Sequence, residues 1–394
     1  MNLGEQQMKI VIVTHSSPYE ARAKAIQQYC KANGFESLCV FSDFDHHAHR
    51  TRQNLTEKDN ETVYLPMTPY QRNLSVRRMK SIYDFAGRVE KYLETIDFDI
   101  LYVMVPANSL AAMAQRLKKK RDFKLVMDIM DLWPEALPLE KVEWMPPLQF
   151  WKHLRDRSLP SADVLVTECR YFRDFLRLPQ EKTHTLYWVD QSIITVENAD
   201  QAANEKADEA ALQRTGEDIL KVVYIGAINN IIDIASITAV LSALKKRCRV
   251  QMHVVGDGEG REALLKSLRD HGIDYRYHGK VYEARRKKEI LEQCDFGINM
   301  MKKSVKVGLT MKSVDYLAHG LPLINNIRGD TWEMIAQTKA GVNVSKGKNA
   351  FAQAAEEIIA GWQEIDALQK QARYLYRTTF TKESFENTLS EILK

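Results

Sequence analysis

Lys312 and Asp315 stand three residues apart in a stretch, 308–322 (GLTMKSVDYLAHGLP), whose residue types suit the capture of a diphosphate and a ribose. Gly308 opens a turn, a helix follows, and Gly320-Leu321-Pro322 breaks it before the apolar Leu323 and Ile324. A helix entered from a tight loop offers unpaired N–H groups and the positive end of its dipole, here at Leu309, Thr310 and Met311. Lys312 adds a point charge. Asp315, one turn on and facing the same way, is an acceptor suited to a sugar diol. The spacing also fits an ordinary amphipathic helix with Lys312 and Asp315 as a solvated i, i+3 pair.

Other residues able to do chemistry follow short apolar runs. Lys9–Thr14 (KIVIVT) reads as a buried parallel strand, and His15, Ser16 and Ser17 come directly after it. Arg22, on the helix beyond, is placed to serve a phosphate. The run 124–130 leads into Asp131-Leu132-Trp133-Pro134-Glu135, where Asp131 and Glu135 are either site carboxylates or caps of the next turn. Gly226, with Asn229 and Asn230 behind it, ends a strand at 220–225; Gly256 and Gly258 end another at 249–255. His46, His47 and His49 crowd beside Asp43 and Asp45 without a recognised ligand spacing, so a solvated loop is preferred to a metal site. A basic helical segment at 70–93 carries Arg72, Arg77, Arg78 and Lys80. Its cations either face water over the sheet or meet anionic lipid.

Strands alternating with helices predict an α/β chain with ligands at the carboxyl ends of its strands. At 394 residues there is room for two cores. Hydrophobic content of 45% and charged content of 27% are those of a globular protein. Five scattered cysteines without a CxxC point to a reducing compartment. No secretory leader or membrane-spanning run is read, so the expected location is the cytoplasm or the cytoplasmic face of the membrane. A net charge of +4 does not announce nucleic acid.

The 308–322 stretch resembles the donor-site motif of the retaining glycosyltransferases of family 4. Gly308, Leu309, Lys312, Tyr316, Ala318, Gly320 and Pro322 match it, and Asp315 stands where the family has Glu. Asp131–Glu135 resembles the DLWPE motif of a branch that builds cell-surface polysaccharides, and 256–262 resembles the family's glycine turn. The chain departs from the pattern at Val307, where wider relatives carry a second Glu, at Asn229 and Asn230, where many carry Arg and Lys, and at Met130, where His or Arg is usual.

The resemblance implies GT-B: two Rossmann-like doubly wound domains facing across a cleft. The divisions expected are 1–195 for the acceptor side, 196–218 for the crossing, 219–376 for the nucleotide-sugar side, and 377–394 for a helix returning to the first domain. It implies retaining transfer from a nucleotide-diphospho-sugar to a saccharide or lipid-linked acceptor, with no metal or other cofactor. Asp131, Lys312 and Asp315 are then the catalytic set. The donor would meet Gly226, Asn229, Gly256, Gly258, Lys280, Val281, Gly308, Leu309, Thr310 and Met311; the acceptor would meet His15, Ser16, Arg22 and Glu135. Two rivals share the architecture: a nucleotide-sugar 2-epimerase, and a non-catalytic partner subunit favoured by the departures just named.

Overall fold

The computed structural model describes residues 7–46, 48–52, 61–71, 75–137, 144–188, 219–347 and 349–394. The expected sites Arg72, His47 and the crossing 196–218 lie outside them. Two compact units are present. One holds residues up to 168 with 172–186 and 386–394; the other holds 169–171 and 187–385.

In the N-terminal unit the strands are β1 (Lys9–Thr14), β2 (Glu36–Ser42), β3 (Phe44–Asp45), β4 (Arg50–Thr51), β5 (Thr62–Leu65), β6 (Ile100–Val105), β7 (Lys124–Ile129), β8 (Val164–Thr167) and β9 (Thr183–Thr185). Seven form a parallel sheet in the order β5-β2-β1-β6-β7-β8-β9, and β3 pairs with β4 in a short antiparallel ladder. Five of the six residues of β1 and all of β6 are buried, as strands covered on both faces require. The sequence direction reverses between β1 and β6, so their carboxyl ends form a crevice in the doubly wound manner. The basic segment becomes a helix only at Val76–Leu93, where Ser75 caps the N–H of Arg78 at 3.2 Å; the expected start at residue 70 is too early.

The C-terminal unit repeats the plan with β10 (Ile219–Ile225), β11 (Arg249–Val255), β12 (Asp274–Gly279), β13 (Phe296–Asn299), β14 (Leu323–Asn325) and β15 (Gly341–Asn343). Their order is β12-β11-β10-β13-β14-β15, all parallel, and the reversal falls between β10 and β13. Helix Ile234–Lys245 starts where Asp233 accepts from Ser236 N, and it buries Ile237, Val240, Leu241 and Leu244 at helical spacing. These pack with Val222, Phe296 and Ile358 in one apolar cluster. Each such side chain contributes roughly 1.5–3 kcal/mol on burial. That cluster fixes the level of the strand ends.

Arg22 corrects an expectation. It is fully buried, with Nε 2.9 Å from Asp128 Oδ2 and Nη2 3.2 Å from Oδ1; Tyr102 donates its hydroxyl to the same carboxylate at 2.7 Å. Asp128 lies inside β7, where an uncompensated charge would be costly, so Arg22 serves the core rather than an acceptor phosphate. Arg22→Met should destabilise the fold by about 3–5 kcal/mol because it strands Asp128, and Arg22→Met with Asp128→Leu should recover most of that. Urea unfolding midpoints check it; a single-variant loss under about 1 kcal/mol would refute the pairing.

Candidate functional site

At the carboxyl end of β13 the chain turns through Gly308 into helix Met311–Ala318. Thr310 is its N-cap, accepting from Ser313 N at 3.2 Å, and buried Asn299 holds Thr310 Oγ1 at 2.6 Å and Ser313 Oγ at 2.9 Å. The N–H groups of Leu309, Thr310, Met311 and Lys312 have no acceptor among the described residues. Lys312 reaches back across the start of the helix, donating to Tyr224 Oη at 2.6 Å with its Nζ 4.5 Å from the ring centre. The Tyr224 hydroxyl is held in turn by the Ala227 carbonyl at 2.7 Å. No carboxylate pairs with this ammonium among the described residues, and its burial brings its pKa down to about 8. A desolvated cation beside four free N–H groups is a place for an anion.

Asp315 is not the partner of Lys312, so the solvated-pair reading fails. Both of its carboxylate oxygens accept from Lys287 Nζ at 2.9 Å, and His319 Nδ1 lies 3.4 Å from Oδ1. The Lys287 clamp fixes the carboxylate while lone pairs remain for a diol. Nothing local in the sequence announces it.

The glycine turns interlock. Gly226 N donates to Val255 O, Ile228 N to Asp257 O, Gly260 N to Ile228 O and Gly256 N to Gly279 O, at 2.7–3.0 Å. A Cβ on Gly256 would stand 2.0 Å from Gly226 O, and one on Gly226 would stand 2.8 Å from Lys312 Cε. Only glycine lets the two loops touch and leaves Lys312 its place. Asn229 turns inward, its Oδ1 accepting from Ile231 N at 3.3 Å. Lys280 and Val281 follow β12 next to Gly256, exposed and half-buried respectively. The expected donor residues other than Asn229 therefore border one rim of this unit with their backbones.

In the N-terminal unit, His15 is 2% exposed, and neither ring nitrogen has a hydrogen-bond partner among the described residues. Burial, then His46 and Arg78, push its pKa well below the ordinary value, so the ring is neutral. Ser16 is half-buried, its N–H donating to Thr14 Oγ1 at 3.3 Å. His46, expected in a solvated loop, is instead half-buried and bonded to the Tyr70 hydroxyl and to the His15 carbonyl.

Asp131 accepts from Leu132 N at 2.9 Å, and burial raises its pKa to about 6. Glu168, at the end of β8, is pushed by burial to about 8, against the pull of Arg22 and with Asp131 and Asp128 adding to the rise. Sequence reading missed Glu168. The rule that selected Asp131, a carboxylate just past a buried strand, selects it as well.

Two more expectations are corrected. Glu135 is buried in a bidentate pair with Arg155, 2.8 and 2.9 Å, which holds its pKa low against desolvation; it anchors helix Pro146–Ser158 rather than an acceptor. Arg78 is half-buried with its guanidinium 4.1 Å from the Trp133 ring centre, so it supports the 131–135 turn instead of facing lipid. Arg77 and Lys80 are exposed. No helix among the described residues is long and apolar enough to cross a membrane.

Residues 220–361 match the sequence model of the family described as glycosyl transferases group 1. No curated protein matches the chain. Solved structures similar over its length include a sucrose-phosphate synthase from Thermosynechococcus elongatus, 12% identical with a TM-score of 0.70 and 98% of either chain covered. The HepE protein of Anabaena in complex with UDP is 12% identical, with a TM-score of 0.65 over 98% of this chain and 99% of that one. A glycosyltransferase from Rickettsia africae is 14% identical, with a TM-score of 0.64 over 99% of each. The shared fold is GT-B, two Rossmann-like α/β units, as the sequence led one to expect.

The half-buried Asp131 and Glu168 each contribute a stability that falls with rising pH. Glu168 has an ordinary pKa of 4.5 in the unfolded chain and about 8 when folded. Its contribution is complete below 4.5, declines as pH rises towards about 8 because only the folded chain keeps the proton, and is level above. Asp131 adds the same trend between 3.8 and about 6. Urea denaturation across this range should show a decline that Glu168→Gln flattens between about 6 and about 8. An unchanged slope in the variant would place the titration elsewhere.

Proposed function

We propose that this chain is a nucleotide-sugar-dependent glycosyltransferase. The observation that carries the reading is Lys312: a desolvated ammonium with no carboxylate partner among the described residues, beside the free N–H groups of 309–312 and over Gly226. The family match to 220–361 and the Anabaena HepE complexes with UDP and with UDP-glucose support it. On this reading the diphosphate lies along that helix N-terminus, Asp315 takes the ribose diol, and the turns at Gly226, Gly256 and Gly258 let the donor approach the backbone. The base meets the chain at Lys280 and Val281.

The finer reading is retaining transfer of the family 4 type, in the branch marked by Asp131–Glu135. The anomeric carbon's bond to the diphosphate oxygen breaks, its bond to the acceptor oxygen forms on the same face, and the acceptor proton passes to the departing diphosphate. Lys312 and the N–H groups stabilise the charge that develops there. Asp131 and His15 line the acceptor side of the N-terminal unit. A saccharide or lipid-linked acceptor used in building a surface polysaccharide fits the reading, with Arg77 and Lys80 as the basic contacts to an anionic membrane.

In a thermal-shift comparison of UDP, GDP and dTDP, one nucleotide at about 100 times its dissociation constant should stabilise the protein by roughly 2.7 kcal/mol. Lys312→Ala and Asp315→Ala should each remove most of that shift. Equal shifts in both variants would remove the diphosphate from this site, and no shift for any nucleotide would favour a non-catalytic partner. Because Lys312 loses its proton near a pKa of about 8, nucleotide affinity should weaken as pH rises through that value in the wild type, and not in Lys312→Met. Titration calorimetry on either side of that pH reads the difference.

A further inference from the structure

Three loops leave adjacent strands of the C-terminal unit side by side. Asn299, Asn325 and Asn343 are level across β13, β14 and β15, strands roughly 4.8 Å apart. Asn325 Nδ2 donates to Asn343 Oδ1 at 2.8 Å, Val344 N donates to Asn325 O at 2.7 Å, and the Asn326 amide bonds the N–H and the carbonyl of Met301 at 2.8 and 3.1 Å. Each loop carries cations: Lys303 and Lys306 on the first, Arg328 on the second, Lys346 on the third. Arg328 and Lys346 follow their level asparagines by the same number of residues. The Arg328 guanidinium is fixed 3.5 Å from the Trp332 ring centre.

None of the four has a carboxylate partner among the described residues. Desolvation and the charges of Lys303, Arg328 and Lys306 hold the Lys346 pKa below its ordinary value, so Lys346 lies within electrostatic reach of the other three. Keeping like charges together at an exposed rim is unfavourable unless an anion joins them. Their spread over three loops, without a convergent cradle of N–H groups, suits a ligand whose charges are spaced along a chain. None of the exposed large apolar side chains among the described residues is on these loops, which disfavours a lipid surface.

We propose that the rim formed by Lys303, Lys306, Arg328 and Lys346 binds a saccharide carrying carboxylate groups along its length. This rests on the glycosyltransferase reading and names the class of saccharide that the C-terminal unit recognises besides the nucleotide. The stacking on Trp332 holds the Arg328 guanidinium in place, and the four cations meet the carboxylates of the saccharide.

The test uses the full chain and a variant with Lys303→Ser, Arg328→Ser and Lys346→Ser, probed with trigalacturonate, with neutral maltotriose and with phosphatidylglycerol–phosphatidylcholine vesicles. Trigalacturonate should bind the wild type, weaken about tenfold or more in the variant, and weaken between about 0.01 and about 0.15 M salt as the screening length falls from roughly 30 to roughly 8 Å. Maltotriose should not bind. The UDP-induced thermal shift should be the same in both proteins, which also shows that the variant folds. Equal trigalacturonate binding by both proteins, no binding by either, or vesicle capture that the variant loses while trigalacturonate does not bind would each overturn the proposal. Patch-dependent trigalacturonate binding without any nucleotide shift would keep the rim and overturn the donor reading alone.

Discussion

The candidate site of the C-terminal unit depends on the charge of Lys312, which has no carboxylate partner among the described residues. The Lys312 ammonium is largely withdrawn from water, its polar contacts are a tyrosine hydroxyl and ring, and burial has brought its pKa down to about 8. Such a group raises the energy of the empty site and lowers that of any anion that arrives. The surroundings keep it in that condition. Gly226 leaves space for its side chain, the interlocked turns at Gly226 and Gly256 fix that space, and Tyr224 is pinned by Ala227. Lys287 occupies the carboxylate of Asp315, one turn along the same helix. A site that is poised before the ligand arrives needs little reorganisation afterwards.

Much of this was legible in the sequence where the signal is local. Gly308, Lys312 and Gly320 lie within one turn-helix-turn whose start, cap and stop follow short-range rules, and β10, β11 and β13 are apolar runs with turn residues at their ends. What sequence reasoning lost depends on partners far along the chain. Arg22 looked free because Asp128 is 106 residues away, yet a lone acid inside the apolar run of β7 required a buried cation. Lys287 is 28 residues from Asp315 with no pattern linking them. Arg78 read as surface charge because helical periodicity gives a face but not the neighbour that a long side chain lies upon, here Trp133. Glu168 directly follows the apolar run 162–167, so the strand-end rule was able to select it.

The two units share one topology and use it in opposite ways. Each reverses the order in which strands are added beside its first strand, so each has a crevice at the same place in the fold. In the N-terminal unit the buried cation Arg22 pairs with Asp128, and the strand ends carry two carboxylates whose pKa values burial raises. At about pH 7 a protonated Glu168 is a donor as well as an acceptor, a group suited to hydroxyls. In the C-terminal unit the acid is consumed, Asp315 by Lys287, and the cation is left over. Topology therefore places a site in each unit without choosing its chemistry. The choice is made by which charge each core can neutralise: carboxyl groups are left at the strand ends of one unit and an ammonium without a carboxylate partner among the described residues in the other.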